Sequence, residues 1–380
     1  MRILLLAWDV ARPGFLDPAV QDLATALAGA GAEVHVVASG SGPTATRRIG
    51  DVGVTWVAEA PPVLPDERTY DLSRVIAFAS RADAVVGRFT RSHDVDVLIA
   101  RGWQTTYTAA NLRSLRGVPI VALVDDLEFD RHGGALPDDH AKLVHQVEWW
   151  LTFEARRVVA STEHVRRGLL RAFRLPPEKV DVLPHGVTPP AVATAPRPGV
   201  GIVAPAGSRA AVQAATRLGR SGLPVALAGP PRPRARNVVT ATAEEATARA
   251  VVVVLDDQAD AVALAALVRG RAVVVPMSGR LRELVHARRT GMRVDPEDPE
   301  AIISVVRLLH DDERLCQRMG ERGASEVRLR RSWPGIAADV LDVCRRAISE
   351  EAELTGHEPA ERHLRPVLLR SPLLDLDHPD

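Results

Sequence analysis

The chain has 380 residues, enough for two separate cores, because a single hydrophobic core rarely grows past about 250–300 residues. Hydrophobic residues make up 46% and charged residues 25%, which excludes the disordered and membrane-embedded classes, and Lys+Arg and Asp+Glu balance at 48 each, so no overall field recruits nucleic acid or an anionic membrane. Two cysteines, Cys316 and Cys344, both in predicted helices, make neither a disulfide framework nor a four-ligand zinc site, which suits a reducing cytoplasm.

The opening MRILLLAWDV has one basic residue and lacks the small-residue cleavage site of a signal peptide. It is also too short to span a bilayer, and it reads as a buried first strand over Arg2–Ala7. A helix from about Asp17 to Ala30 follows, with Val20, Leu23, Ala24 and Leu27 on one stripe, and then a strand over Glu33–Ala38. Further strands are expected at Val52–Val57, Val95–Ala100 and Pro119–Val124, and a long helix at Asp138–Arg156. The stretch from Glu148 to Gly186 then delivers a short strand (Val158–Ala160), a helix opening at Ser161 and stopping at Pro176-Pro177, and a second strand (Val180–Leu183) ending on Pro184-His185-Gly186. The segment TPPAVATAPRPG, Thr188–Gly199, has no periodicity and marks a linker.

The alternation then restarts. Strands are expected at Gly201–Val203, Pro224–Leu227, Val251–Leu255, Ala272–Val275 and Met292–Val294. Helices are expected near Ser208–Ser221, Ala259–Arg269, Gly279–Ala287, Pro299–His310, Asp312–Leu329 and Trp333–Ser349. Short β-branched runs alternating with helical periods predict an α/β chain of two Rossmann-like domains facing across a cleft. The divisions are an N-terminal domain over 1–187, a linker over 188–199, a C-terminal domain over 200–332, a closing helix over 333–349 that packs back on the first domain, and a mobile tail over 350–380.

The strand–Ser–helix–strand–hinge unit, on this spacing, resembles the end of the first domain in retaining glycosyltransferases of family 4, which have the GT-B fold. Three further segments carry the resemblance: Met1–Val37; DDLEFDRHGG (Asp125–Gly134) with HQVEWWLTFEARRVVAS after it; and Ala263–Glu300. Within that family the sequence is similar to the bacterial glycogen synthase-like and maltosyltransferase-like members. The resemblance implies retaining transfer of a hexosyl group from a nucleotide sugar to a sugar, glucan or small-molecule acceptor. It implies no metal and no cofactor beyond the nucleotide-sugar co-substrate; the cytoplasmic location is expected from the cysteine usage, and the absence of a membrane span from the short opening apolar run.

The family's functional positions map onto this chain with changes. Gly14 matches the first glycine of the phosphate loop, and Phe15 takes the place of the second, either as a hydrophobic plug or as a reshaped sugar contact. The family's sugar-contacting histidine aligns with Asp125, which either stabilises a cationic sugar or caps a strand end within an acidic loop; Glu128, Arg131 and His132 survive as matches. On the acceptor side the resemblance therefore offers Asp125, Glu128 and His132 as catalytic candidates. On the donor side it offers Gly14, Arg209, Asp257, Gly279, Arg280 and Glu283. Ala265 stands where the family has a ribose-binding glutamate, and Arg280 and Arg282 either reach phosphate or solvate a helix start. These changes leave a second reading open: a catalytically silent scaffold that binds carbohydrate or partners an active paralogue.

Overall fold

The computed structural model describes residues 1–8, 16–40, 42–58, 67–189 and 195–356. Its contacts divide the chain into two units: one of Met1–Ser161, Val165–Leu183 and the chain from Ala337, the other of Thr162–His164 and Pro184–Ile336.

The first unit contains β1 (Arg2–Ala7), α1 (Pro18–Gly29), β2 (Glu33–Gly40), β3 (Ala45–Ile49), β4 (Val52–Ala58), α2 (Glu67–Ser92) and β5 (Val97–Arg101). It continues with α3 (Thr106–Arg116), β6 (Ile120–Val124), α4 (Glu128–Arg131), α5 (Asp139–Glu154), β7 (Arg157–Ala160), α6 (Glu163–Phe173) and β8 (Val180–Val182). The strands line up as β3-β4-β2-β1-β5-β6-β7-β8, all parallel except β3, which runs antiparallel on the edge against β4. β1 is the pivot, pairing Ile3 with Val34 on one side and with Val97 on the other. Helices cover both faces, so the central strands are apolar throughout: Leu4, Leu5, Leu6, Leu98, Ile99 and Ile120 are fully buried. Each such side chain stabilises by about 1.5–3 kcal/mol. The chain runs outward from β1 to β4 on one side and from β5 to β8 on the other. The order therefore reverses between β1 and β5, and a crevice opens beyond their carboxyl ends.

The second unit repeats the scheme with β9 (Arg197–Val203), α7 (Arg209–Arg220), β10 (Val225–Ala228), β11 (Val238–Thr240), α8 (Ala243–Thr247) and β12 (Arg249–Val254). α9 (Asp260–Val268), β13 (Ala272–Pro276), β14 (Met292–Val294), α10 (Pro299–Asp311) and α11 (Glu313–Arg330) follow. Its described strands form one parallel sheet, β11-β10-β9-β12-β13-β14, with the reversal between β9 and β12.

α12 (Trp333–Gly356) begins in the second unit, where Trp333 Nε1 donates to Thr188 Oγ1 at 3.0 Å, and from Ala337 it belongs to the first. There it buries Val340, Leu341, Cys344 and Ala347. Arg156 Nε donates to Glu351 at 2.9 Å, Arg157 pairs with Glu350, and Arg346 Nη2 donates to Asp181 at 2.9 Å. Burial pushes the Cys344 thiol up to about 12, which leaves it an inert core residue.

Several sequence expectations are corrected. The closing helix runs on to Gly356, beyond Ser349, because Glu350 and Glu351 are held by Arg157 and Arg156; the part of the expected tail from residue 357 lies outside the described residues. Arg197–Gly199, assigned to the linker, already form the start of β9. The helix expected over Gly279–Ala287 is only a 3-10 turn, Leu281–Leu284. Its would-be helical bonds are taken: the His286 N–H donates to Thr290 Oγ1 at 2.8 Å, and Arg293 Nη2 donates to the carbonyls of Arg282 and Val285.

Candidate functional site

The crevice beyond β1 and β5 holds a pocket of about 500 Å³, built entirely within the first unit. Each strand end contributes to it: Trp8 follows β1, Arg101 ends β5 and leads into Gly102–Gln104, and Asp125–Leu127 follow β6. α5 closes the wall with Glu148, Leu151 and Thr152. Gly102 makes the turn out of β5 with φ of 82°, in the left-handed region that favours glycine.

Arg101 organises one side. Its Nε donates to Asp125 Oδ2 at 3.1 Å, Nη2 lies 3.0 Å from the same oxygen, and Nη1 reaches Asp17 Oδ1 at 3.4 Å. Burial alone would lower the Arg101 pKa, but the two carboxylates more than offset it and the net shift is upward. Asp17 also caps α1, accepting from the N–H groups of Ala19 and Val20, so the first helix and two strand ends share one ion cluster. The Asp125 main-chain carbonyl accepts from Ser161 Oγ at 3.0 Å, which ties β6 to the Ser that opens α6.

The neighbouring loop is satisfied within itself. Arg131 grips Asp126 through two bonds of 2.8 Å and reaches Glu128 at 3.1 Å. His132 Nε2 lies 3.0 Å from Glu128 Oε1. Asp125 is thus placed on the pocket wall, while Glu128, buried to 7% exposure, and the exposed His132 that pairs with it are absent from the pocket lining. Sequence reasoning passed over Glu148 as a site residue, although it faces the pocket and both its oxygens accept the Glu128 N–H, at 3.0 and 3.1 Å. The available signal was a carboxylate within the buried stripe of α5, beside Val144, Val147 and Leu151.

The donor-side candidates are distributed differently. Gly14 and Phe15 lie outside the described residues. Asp257, Gly279 and Arg280 come together: the Asp257 carboxylate accepts the N–H groups of Arg280 and Leu281, both at 3.0 Å, and Arg280 Nε donates to the Asp257 carbonyl at 3.1 Å. Gly279 sits at φ 79°, where a Cβ would stand 2.5 Å from an Asp257 oxygen, so only glycine fits. Arg280 is 7% exposed and turned into this lock, which corrects the expectation that it solvates a helix start. Arg209 is exposed at the first position of α7, behind the Ser208 cap, and does not join that cluster. The Glu283 carboxylate accepts the Glu163 N–H at 2.8 Å, from the short Thr162–His164 segment that groups with the second unit.

Residues 19–189 match the family described as Glycosyltransferase Family 4. Among solved structures, the chain is similar to the sucrose-phosphate synthase of Thermosynechococcus elongatus, with a TM-score of 0.70 and 15% identity, covering 92% of this chain and 99% of that one. It is also similar to Anabaena HepE, solved in complex with UDP and glucose, with a TM-score of 0.65 and 13% identity over 91% and 99% of the two chains. The fold is GT-B. An uncharacterised glycosyltransferase of Methanocaldococcus jannaschii is 26% identical over 191 residues, 50% of this chain. The match spans about half of that relative, 47% of its length. The family 4 match takes in the pocket from Arg101 to Thr152 and stops before the second GT-B unit begins its sheet. Among the described residues no helix is long and apolar enough to cross a membrane.

Proposed function

We propose that this chain is a family 4 glycosyltransferase that carries out retaining transfer of a hexosyl group from a nucleotide sugar, with the carbohydrate acceptor seated in the first-unit pocket. The observation that carries the reading is the position of that pocket, at the point where the strand order reverses, with three strand ends contributing to its lining and two of them sharing one ion cluster. The family match over 19–189 supports the transfer chemistry, and the nucleotide and glucose in HepE support a nucleotide-sugar donor. The DDLEFDRHGG loop, through its resemblance, supports placement beside the glycogen synthase-like and maltosyltransferase-like members.

In the transfer the anomeric bond to the diphosphate breaks, a bond to an acceptor oxygen forms, and the acceptor proton leaves with the diphosphate. Asp125, fixed by Arg101, is the residue placed to hold the acceptor or to face positive charge on the sugar. Arg209, exposed at the start of α7, is a cation that would serve the phosphate in the second unit.

The test is incubation with UDP-glucose, ADP-glucose and GDP-mannose against a panel of mono- and oligosaccharides. Nucleotide release and glycoside mass are both measured. Acceptor-dependent release that Asp125→Ala abolishes is expected. No release with any donor, together with no saccharide binding, overturns the proposal and leaves the silent scaffold.

A further inference from the structure

Glu148 is a carboxyl group whose surroundings are unusual for an anion. It is 6% exposed, it lines the pocket, and its two oxygens share one donor, the Glu128 N–H. A carboxylate has room for about four hydrogen bonds. The cations nearby are committed elsewhere: Arg131 to Asp126 and Glu128, Arg101 to Asp125 and Asp17, and His132 to Glu128. His145, one turn earlier on α5, packs against the rings of Phe129 and Phe173. Among the described residues, the other charged groups about the pocket are the acidic Asp17, Asp125, Asp126 and Glu128, and Arg74, which lies over the Trp8 ring at 5.5 Å from its centroid.

Among the described residues, an ionised Glu148 here would be a buried charge with one hydrogen-bond donor and no ion pair. A neutral Glu148 fits: the carbonyl oxygen accepts from Glu128 and the O–H has the cavity to donate into. Burial pushes the Glu148 pKa up to about 8, and the charges of Asp126 and Glu128 add to this against the opposing Glu128 N–H and Arg131.

We propose that Glu148 acts as a neutral hydrogen-bond donor to a hydroxyl oxygen of the bound sugar, and so selects an uncharged, polyhydroxylated ring in this pocket. The proposal rests on the acceptor reading given above and names its substrate class. Trp8 and Trp103 supply aromatic surface for the C–H face of such a ring. An anionic sugar would meet Asp17, Asp125 and Asp126, and a protonated amino sugar would draw Glu148 into the carboxylate form.

The experiment is calorimetry on the full chain with glucose, maltose, glucosamine and glucuronate, from about pH 6 to 9.5, with Glu148→Gln and Glu148→Leu beside the native protein. Native affinity for the neutral sugars is expected to hold to about pH 7.5 and then fall by at least about fivefold by the top of the range, as the donor hydrogen is lost. Glu148→Gln, which keeps an N–H donor, binds within about threefold of native at low pH and loses the alkaline fall, while Glu148→Leu binds about tenfold more weakly. An alkaline fall retained in Glu148→Gln overturns the proposal, as does tighter binding of glucosamine or glucuronate than of glucose. If Glu148→Leu does not fold, the Glu148→Gln pH profile decides alone. Saccharide binding indifferent to every Glu148 change overturns this proposal only; no saccharide binding by the native protein overturns the acceptor reading with it.

Discussion

The two sheets reverse their strand order in the same way, between β1 and β5 and between β9 and β12, yet the loops beyond those points are put to opposite uses. In the first unit the carboxylates after the strand ends pair with guanidinium groups side by side, Asp125 with Arg101 and Asp126 with Arg131, and a cavity remains between them. In the second, Asp257 after β12 turns its carboxylate onto the main chain after β13 and caps two N–H groups there. Topology places acidic residues at both crevices. What they bond to decides whether they stay available to a ligand or become part of the scaffold.

The largest effect that would sharpen this contrast comes from breaking the second lock. Asp257→Ala removes two charge-assisted bonds to backbone N–H groups, and Gly279→Ala forces a Cβ against the Asp257 carboxylate from a left-handed backbone. Each is expected to destabilise by about 2–3 kcal/mol, read as a lowered urea midpoint. A change under about 0.5 kcal/mol for both would mean the lock is ornamental and Asp257 is free for ligand.

A pH dependence of stability comes next. The folded Glu148 pKa, about 8, lies above that of the unfolded chain, so between about pH 4.5 and 8 the unfolded state gives up a proton that the folded state keeps. Stability from this group is therefore full below that window and falls as pH rises through it, with a slope of at most about 1.4 kcal/mol per pH unit. Glu148→Gln is expected to flatten the decline in Tm between pH 5 and 8. Parallel native and variant curves would show that Glu148 ionises normally.

Asp125→Ala is expected to weaken saccharide binding about tenfold while lowering stability by less than about 1 kcal/mol, because the partly exposed Arg101 pair is screened by solvent. Stability loss with unchanged binding would make Asp125 a strand-end cap, and the first crevice would resemble the second. The smallest structural effect belongs to Arg209→Ala, which is exposed at the start of α7. Stability is expected to stay within about 0.5 kcal/mol of native, while the thermal shift caused by UDP, ADP or GDP shrinks.

These contrasts mark where the sequence was readable. The buried parallel strands were legible because both faces are apolar: Arg2–Ala7 and Met292–Val294 match their expected limits, and other core strands end within a few residues of them. The edge strand β3 and the short β11 went unassigned, since Ala45–Ile49 is mostly exposed and neither carries a strong apolar pattern. Within the site, the polar density of Asp125–His132 pointed to the right loop, but spacing could not tell wall from support. Glu128 and Asp125 look alike in a string; only the fold turns one inward and leaves the other on the cavity. Glu148 stayed hidden because a single carboxylate in an apolar stripe carries no motif, and its role depends on a backbone N–H twenty residues away.

The return of α12 to the first unit has a consequence for how the protein is made. Arg156 and Glu351 are 195 residues apart in sequence, and Arg157 and Glu350 are 193. A ribosome supplies residues in order, so the first sheet emerges without its last helix and must wait while the whole second unit is synthesised. During that interval the surface that Val340, Leu341 and Cys344 will bury is open to chaperones, and Arg156 and Arg157 lack their acidic partners. The second unit is in effect an insertion that can fold while the first is unfinished. A chain stopped short of residue 350 would therefore carry every residue of the pocket and still leave it on a domain that lacks the Glu350 and Glu351 pairs.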